Sequence, residues 1–123
     1  MTDVDSMIDR YIAIWNERDA NLRLELISDT WSEDASYLDP LMGGEGHGGI
    51  NAMVAGIQTQ FPGYRFRRTS DVDAHHDRVR FGWELGPEGG PAFAGGVDFA
   101  VVVDGRLRSI TGFLDFAPTA PKQ

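Results

Sequence analysis

Cysteine is absent from the 123 residues, which removes disulfides, thiolate metal sites and cysteine nucleophiles together. Positive charge is scarce: eleven lysines and arginines stand against nineteen aspartates and glutamates, for a net charge of −8. Such a chain is repelled by phosphate backbones and anionic membranes, so neither nucleic acid nor a membrane is an expected partner. No apolar run approaches the length of a membrane span, and the acidic start MTDVDSMIDR carries neither a secretory signal nor a basic transit peptide. The simplest expectation is a cytoplasmic protein. Without repeats, linkers or low-complexity blocks, the length suits one domain over 1–116, and APTAPKQ, with two prolines and no apolar periodicity, reads as a loose tail over 117–123.

What is present is organised around Ala92 to Phe116, which reads as a long strand, an Asp104-Gly105 turn and a second long strand. In the first of these, Val97, Phe99, Val101 and Val103 share one face and Asp98, Ala100 and Val102 the other. Both faces are apolar apart from Asp98. Such a strand must be covered on both sides, one by helices and the other by a second layer or another subunit. A carboxylate held alone in that setting is costly and takes up a proton unless a partner supplies charge or hydrogen bonds. The alternative is an Asp98 that reaches water at a frayed strand start after Gly95-Gly96.

Ahead of the hairpin, Val4, Met7, Ile8, Tyr11, Ile12 and Trp15 fall on one helical stripe that ends near Asn16. Asp19 is placed as the N-cap of a second, shorter helix carrying Leu22, Leu26 and Ile27, which runs out between Ser28 and Trp31. Ser32 to Ala35 is expected to turn the chain into a short strand, Ser36 to Pro40, with Asp39 at its end because Pro40 keeps it out of the helical region. Leu41 to Gly49 is too rich in glycine for regular structure, and Ile50, Met53, Val54, Ile57 and Phe61 then follow helical spacing. Tyr64 to Ala74 reads as extended, His75 to Asp77 as a turn, and Val79, Phe81, Trp83 and Leu85 as one face of a further strand closed by Gly86 to Pro91. Helices followed by a meander of antiparallel strands give an α+β fold, with three helices in the curve of one strongly bent, mostly antiparallel sheet. A cone of that kind encloses a pocket.

That order of elements, with its Asp-Pro strand end, glycine-rich link and the closing VDGRL and TGFLD segments, resembles the NTF2-like superfamily, SnoaL-like and ketosteroid isomerase-like small proteins included, from about Val4 to Phe116. The resemblance implies the cystatin-like cone, a deep hydrophobic pocket and a homodimer through the outer sheet face. It also lays the ketosteroid isomerase pattern on three positions. The general base falls on Asp39 in LDP, the oxyanion-hole tyrosine on Tyr11 in RYIAI, and the protonated acid on Asp98 in GVDFA, with one residue of difference in the turn. Removing a proton next to a carbonyl needs a carboxylate beside the carbon and donors facing the oxygen that gains charge. Each residue has a plainer reading: an Asp-Pro turn for Asp39, a core aromatic for Tyr11, solvent for Asp98.

Other patterns of the superfamily fit less well. The working aspartate of SnoaL-type polyketide cyclases would fall about where Gly112 stands, and Asp115 lies further along. The arginine of limonene epoxide hydrolases would fall on Gly96, while Arg106 and Arg108 follow the hairpin turn. His47 could reach a pocket mouth as a second base or simply sit in the loop. His75-His76-Asp77 hints at a metal but lacks a third nearby ligand, since neighbouring strand side chains point to opposite faces, so no metal site is expected. Two expectations follow. One is an isomerase-type enzyme without a cofactor, acting on a small apolar carbonyl compound through Asp39, Tyr11 and Asp98. The other is a cone that binds a hydrophobic ligand or a second copy without chemistry.

Overall fold

Asp104 and Gly105 both take positive φ, 53° and 78°, the left-handed pair that a two-residue hairpin loop requires. They join two long strands, β6 (Ala94–Val103) and β7 (Arg106–Phe116), as the sequence predicts. The protein is described from a computed structural model over residues 3–117; of the expected tail, all but Ala117 lies outside the described residues. Ahead of the hairpin come α1 (Val4–Asn16), α2 (Ala20–Thr30), β1 (Trp31–Leu38), β2 (Gly43–Glu45), α3 (Gly46–Gln60), β3 (Tyr64–Arg68), β4 (Asp73–His75) and β5 (Arg78–Pro87). The sheet runs β2-β1-β7-β6-β5-β3, with β4 pairing β5. It is a strongly curled half-barrel with the helices packed against it, the NTF2-like cone. Among the described residues only the β1 and β7 pairing is parallel.

The apolar stripe of α1 builds the core from the helix side. Asp3 caps it by accepting from the Ser6 N–H, and Met7, Ile8, Tyr11, Ile14 and Trp15 are buried. Ile14 takes a core place that the spacing gave to Ile12, which stays half-buried. From the sheet come Val79, Phe81, Ala100, Leu107 and Ile110, with Trp31 and Tyr37 from β1. Each large apolar side chain fully buried in this way contributes on the order of 1.5–3 kcal/mol.

Several elements depart from the sequence reading for identifiable reasons. Asp19 caps α2 as expected, but the helix buries Arg23 and Ile27 and leaves Leu22 50% exposed. Arg23 is only 2% exposed and can be buried because three hydrogen bonds hold its guanidinium: Nε donates to Asn51 Oδ1 at 2.5 Å, and one Nη to Glu17 O at 2.7 Å and Gln58 Oε1 at 3.1 Å. Ser32 to Ala35 is strand rather than turn; a register shift between Trp31 and Ser36 lets β1 continue while Glu33 and Asp34 stay in solvent. The glycine-rich link is partly regular, since Gly43–Glu45 pairs with β1 and α3 begins at Gly46. The extended Tyr64 to Ala74 segment divides into β3 and β4, because Thr69 and Ser70 cross over Gly82 and hydrogen-bond its backbone.

Candidate functional site

One row of residues runs across the inner face of the sheet. Phe81 on β5 is opposite Asp98 on β6, Asp98 is opposite Gly112 on β7, and β1, in register as Leu38 with Thr111, brings Asp39 to the same level just beyond its end. Gly112 is what allows the row to close. A Cβ at that position would lie 2.9 Å from Asp98 Oδ1, 3.1 Å from Asp39 Cβ and 3.2 Å from the Tyr37 hydroxyl, too near for any side chain without displacing its neighbours. Tyr11 descends on this row from α1, its ring edge-on to Trp31 and Phe81 at 6.0 and 5.7 Å. Its hydroxyl donates to Asp98 Oδ2 at 2.6 Å.

Asp98 and Tyr11 are 3% and 1% exposed, so the solvent reading of Asp98 does not hold. Burial pushes the Asp98 carboxyl up to about 7; the Tyr11 hydrogen bond and the Trp83 indole draw it down, and the Asp39 carboxylate adds a further push upward. Trp83 Nε1 lies at the same carboxyl without completing a hydrogen bond, and it and Asp98 Oδ1 are both buried and unpartnered among the described residues. The Tyr11 hydroxyl is held well above its ordinary value, by burial first and then by Asp98, so it remains a donor.

Asp39, half-buried, is the member of the set that reaches solvent. Its Oδ1 accepts from the backbone N–H of Leu41 at 2.8 Å and Met42 at 3.0 Å, and its Oδ2 accepts from the Tyr37 hydroxyl at 2.6 Å. The Asp-Pro turn expected of Asp39 is therefore real, and its Cβ borders the same Gly112 position as Asp98 Oδ1. Tyr37 was not singled out from the sequence. The signal was available, since it lies two residues before Asp39 and so shares its face. Burial raises its hydroxyl far above the ordinary tyrosine value, with Asp98 and Asp39 adding to the effect.

The cluster is closed over by aromatic side chains: Trp15 lies against Tyr37 at 5.6 Å and Phe66 at 4.9 Å, and Phe66 against Trp83 at 5.8 Å. Several clefts of the fold lie away from this cluster. One of about 750 Å³, at the opposite end of β1, is lined by Trp31, Ser32, His47, Asp34, Arg106 and Arg108 among others. His47 belongs to the first turn of α3 rather than to a loop, and its Nε2 lies 3.0 and 2.9 Å from the carbonyl oxygens of Trp31 and Ser32, so that nitrogen carries hydrogen and is committed to the backbone. Arg108 pairs with Asp34 at 3.3 Å. Asp115 lines a separate cleft with Thr69, Ser70 and Arg80. His75 and His76 are exposed beside the turn, and no group of metal-ligating side chains occurs among the described residues. None of these joins the Tyr11, Tyr37, Asp39 and Asp98 cluster.

A curled sheet over three helices, with two tyrosine–aspartate pairs meeting in its hollow, defines an NTF2-like protein. Residues 8–110 match the SnoaL-like domain, and the chain belongs to the SnoaL-like family. It is similar, at 40% identity and a TM-score of 0.86 over 90% of this chain and 96% of the other, to a candidate isomerase of the SnoaL-like family from Agrobacterium tumefaciens. A candidate ketosteroid isomerase from Kribbella flavida shares the fold at 21% identity, with a TM-score of 0.68 over 96% of this chain and 82% of its own. So does a candidate polyketide cyclase from Sinorhizobium meliloti, at 14% identity and 0.68, over 87% and 93%. Among curated proteins nothing matches. No helix among the described residues is long and apolar enough to cross a membrane.

Proposed function

We propose that the protein is an isomerase-type enzyme that moves a proton next to the carbonyl of a small apolar compound without a cofactor. Asp39 is the base. Its Oδ2 takes the proton from carbon, the electron pair of the broken C–H bond moves into the new C=C bond, and the carbonyl oxygen gains the negative charge. Asp98, in the protonated form that burial extends up to a pH of about 7, supplies the donor to that oxygen from the unpartnered Oδ1, and Tyr11 supports it by donating to Oδ2. The observation that carries the reading is a buried acid, its pKa raised to about 7, meeting a second and partly open carboxyl across the gap left by Gly112. Two carboxyls in such different surroundings suit opposite tasks.

The 40% identical isomerase candidate from A. tumefaciens supports the same class of reaction. The cyclase alternative has less support, because Gly112 holds no side chain for chemistry, and the epoxide hydrolase alternative less again, because Arg106 and Arg108 line the cleft at the far end of β1. Exchange of a ketone's α-hydrogen for deuterium, followed by NMR, tests the proposal: wild type should exchange some cyclic or linear ketone, and Asp39→Asn should lose nearly all of that rate. Equal, background exchange by both proteins across the panel would end the enolisation reading.

A second reading, a cone that holds a ligand or a second copy without chemistry, draws on a different observation. Phe99 and Phe113 are exposed on the outer sheet face beside Val97 and Val101, while Arg78 and Arg80 form a charged margin on β5. We propose that this band is the contact surface of a homodimer. The dimer is compatible with either function.

A further inference from the structure

An ionised carboxylate offers about four lone-pair positions, two on each oxygen. In Asp39 three are occupied: both on Oδ1, by the Leu41 and Met42 backbone N–H groups at 2.8 and 3.0 Å, and one on Oδ2, by the Tyr37 hydroxyl at 2.6 Å. One lone pair remains, and it lies on the oxygen that Tyr37 holds. The Tyr37 hydroxyl is itself fixed, because its ring is buried against Trp15 at 5.6 Å and its oxygen sits by the gap over Gly112 that Asp98 Oδ1 also borders.

The geometry points to Tyr37 as a positioning residue for the candidate base, locking the Asp39 carboxyl so that a single lone pair on Oδ2 is left free. The backbone N–H groups fix one end of the carboxyl and Tyr37 fixes its rotation. With Tyr37 gone, the Oδ2 end gains a second free lone pair and freedom to turn, and proton transfer from carbon loses its alignment. When Asp39 accepts the proton, the Tyr37 bond passes from a charged to a neutral acceptor and weakens, and it strengthens again when the proton is returned. The role is confined to the transfer itself, because Tyr37 needs no contact with the ligand. The titratable groups facing the site are Tyr11 from α1, Tyr37 from β1, Asp39 just beyond the end of β1, and Asp98 from β6. This assignment rests on Asp39 acting as the base, and its test has one arm that needs no turnover.

In that arm, proton NMR of the full chain should show two slowly exchanging low-field hydroxyl signals, from Tyr11 and Tyr37. Tyr37→Phe should remove one and Asp39→Asn should shift the same one, whereas Tyr11→Phe should remove the other. In the second arm, Tyr37→Phe should lower kcat for exchange on the order of a hundredfold, the usual scale for a misplaced reacting group, at a KM within about twofold of wild type. Tyr37→3-fluorotyrosine, which keeps the donor, should hold kcat near wild type and guards against a packing effect. Absence of a Tyr37 signal, or full kcat in a folded Tyr37→Phe, would overturn the assignment. Should wild type exchange no ketone, the enzyme reading falls, and the hydroxyl signals still decide whether Tyr37 tethers Asp39.

Discussion

Replacing Asp98 by asparagine preserves the shape of the side chain and its capacity to accept from Tyr11, while removing its ionisation. The stability consequence can be worked from the structure. Burial lifts the Asp98 carboxyl from an ordinary 3.8 to about 7 in the folded chain. Below the lower of these values both folded and unfolded chains keep the proton, and Asp98 contributes no pH dependence. Between the two values the unfolded chain releases the proton and the folded chain retains it, so the folded state binds more protons and stability falls as pH rises. At about 1.4 kcal/mol for each pH unit, the loss through that window is about 4 kcal/mol. Above pH ~7 the loss levels off, because both states are then ionised. Asp98→Asn carries none of this dependence. Urea unfolding of both proteins, followed by tryptophan fluorescence at several pH values from about 4 to about 8, isolates the effect as a difference in which the other carboxylates cancel. The variant should gain on wild type by about 4 kcal/mol across the range, with the gain confined to the acid side of neutrality. A pH-independent difference, or one that favours wild type as pH rises, would refute the neutral, buried Asp98.

Three further outcomes follow from the same geometry. Tyr11→Phe removes the bond that draws the Asp98 carboxyl down; a carboxyl titration should find its midpoint raised, and ketone exchange should fall by about ten- to a hundredfold as the supported donor weakens. Gly112→Ala places a Cβ 2.9 Å from Asp98 Oδ1 and 3.2 Å from the Tyr37 hydroxyl, so exchange should drop by at least an order of magnitude while circular dichroism still reports a folded chain; unchanged exchange would show that the two carboxyls need not meet there. Phe99→Glu on the outer sheet face should convert a dimer into a monomer in sedimentation at micromolar concentration, without altering Asp98; a wild type already monomeric would remove the dimer proposal.

Much of this fold was legible in the residues. The alternation around Asp98, the Asp104-Gly105 turn and the stripe of Met7, Ile8, Tyr11 and Trp15 are local patterns that the tertiary structure keeps. Asp39 was marked by the proline after it, and Asp98 by being the sole charge on an apolar strand. Arg23 could not be read in this way, because its burial depends on Asn51, Gln58 and the Glu17 carbonyl, which the chain brings to it only on folding. The strand at Ser32 to Ala35 was hidden by Glu33 and Asp34, whose exposure depends on the register shift in β1. Tyr37 was overlooked for a simpler reason: a tyrosine in a short strand looks like packing, and its hydroxyl acquires a role only when Gly112 brings Asp98 and Asp39 to it.

The central claim is that a protonated acid sits in the hollow of the cone beside the candidate base. Infrared difference spectroscopy in deuterated buffer reads it directly, as the C=O stretch of a protonated carboxyl in a dry setting. The account predicts such a band slightly below neutrality, with a midpoint near the value of about 7 given by burial, lost in Asp98→Asn and retained in Asp39→Asn. A spectrum with no protonated carboxyl above the ordinary carboxylate range, or a band that survives Asp98→Asn, would contradict it.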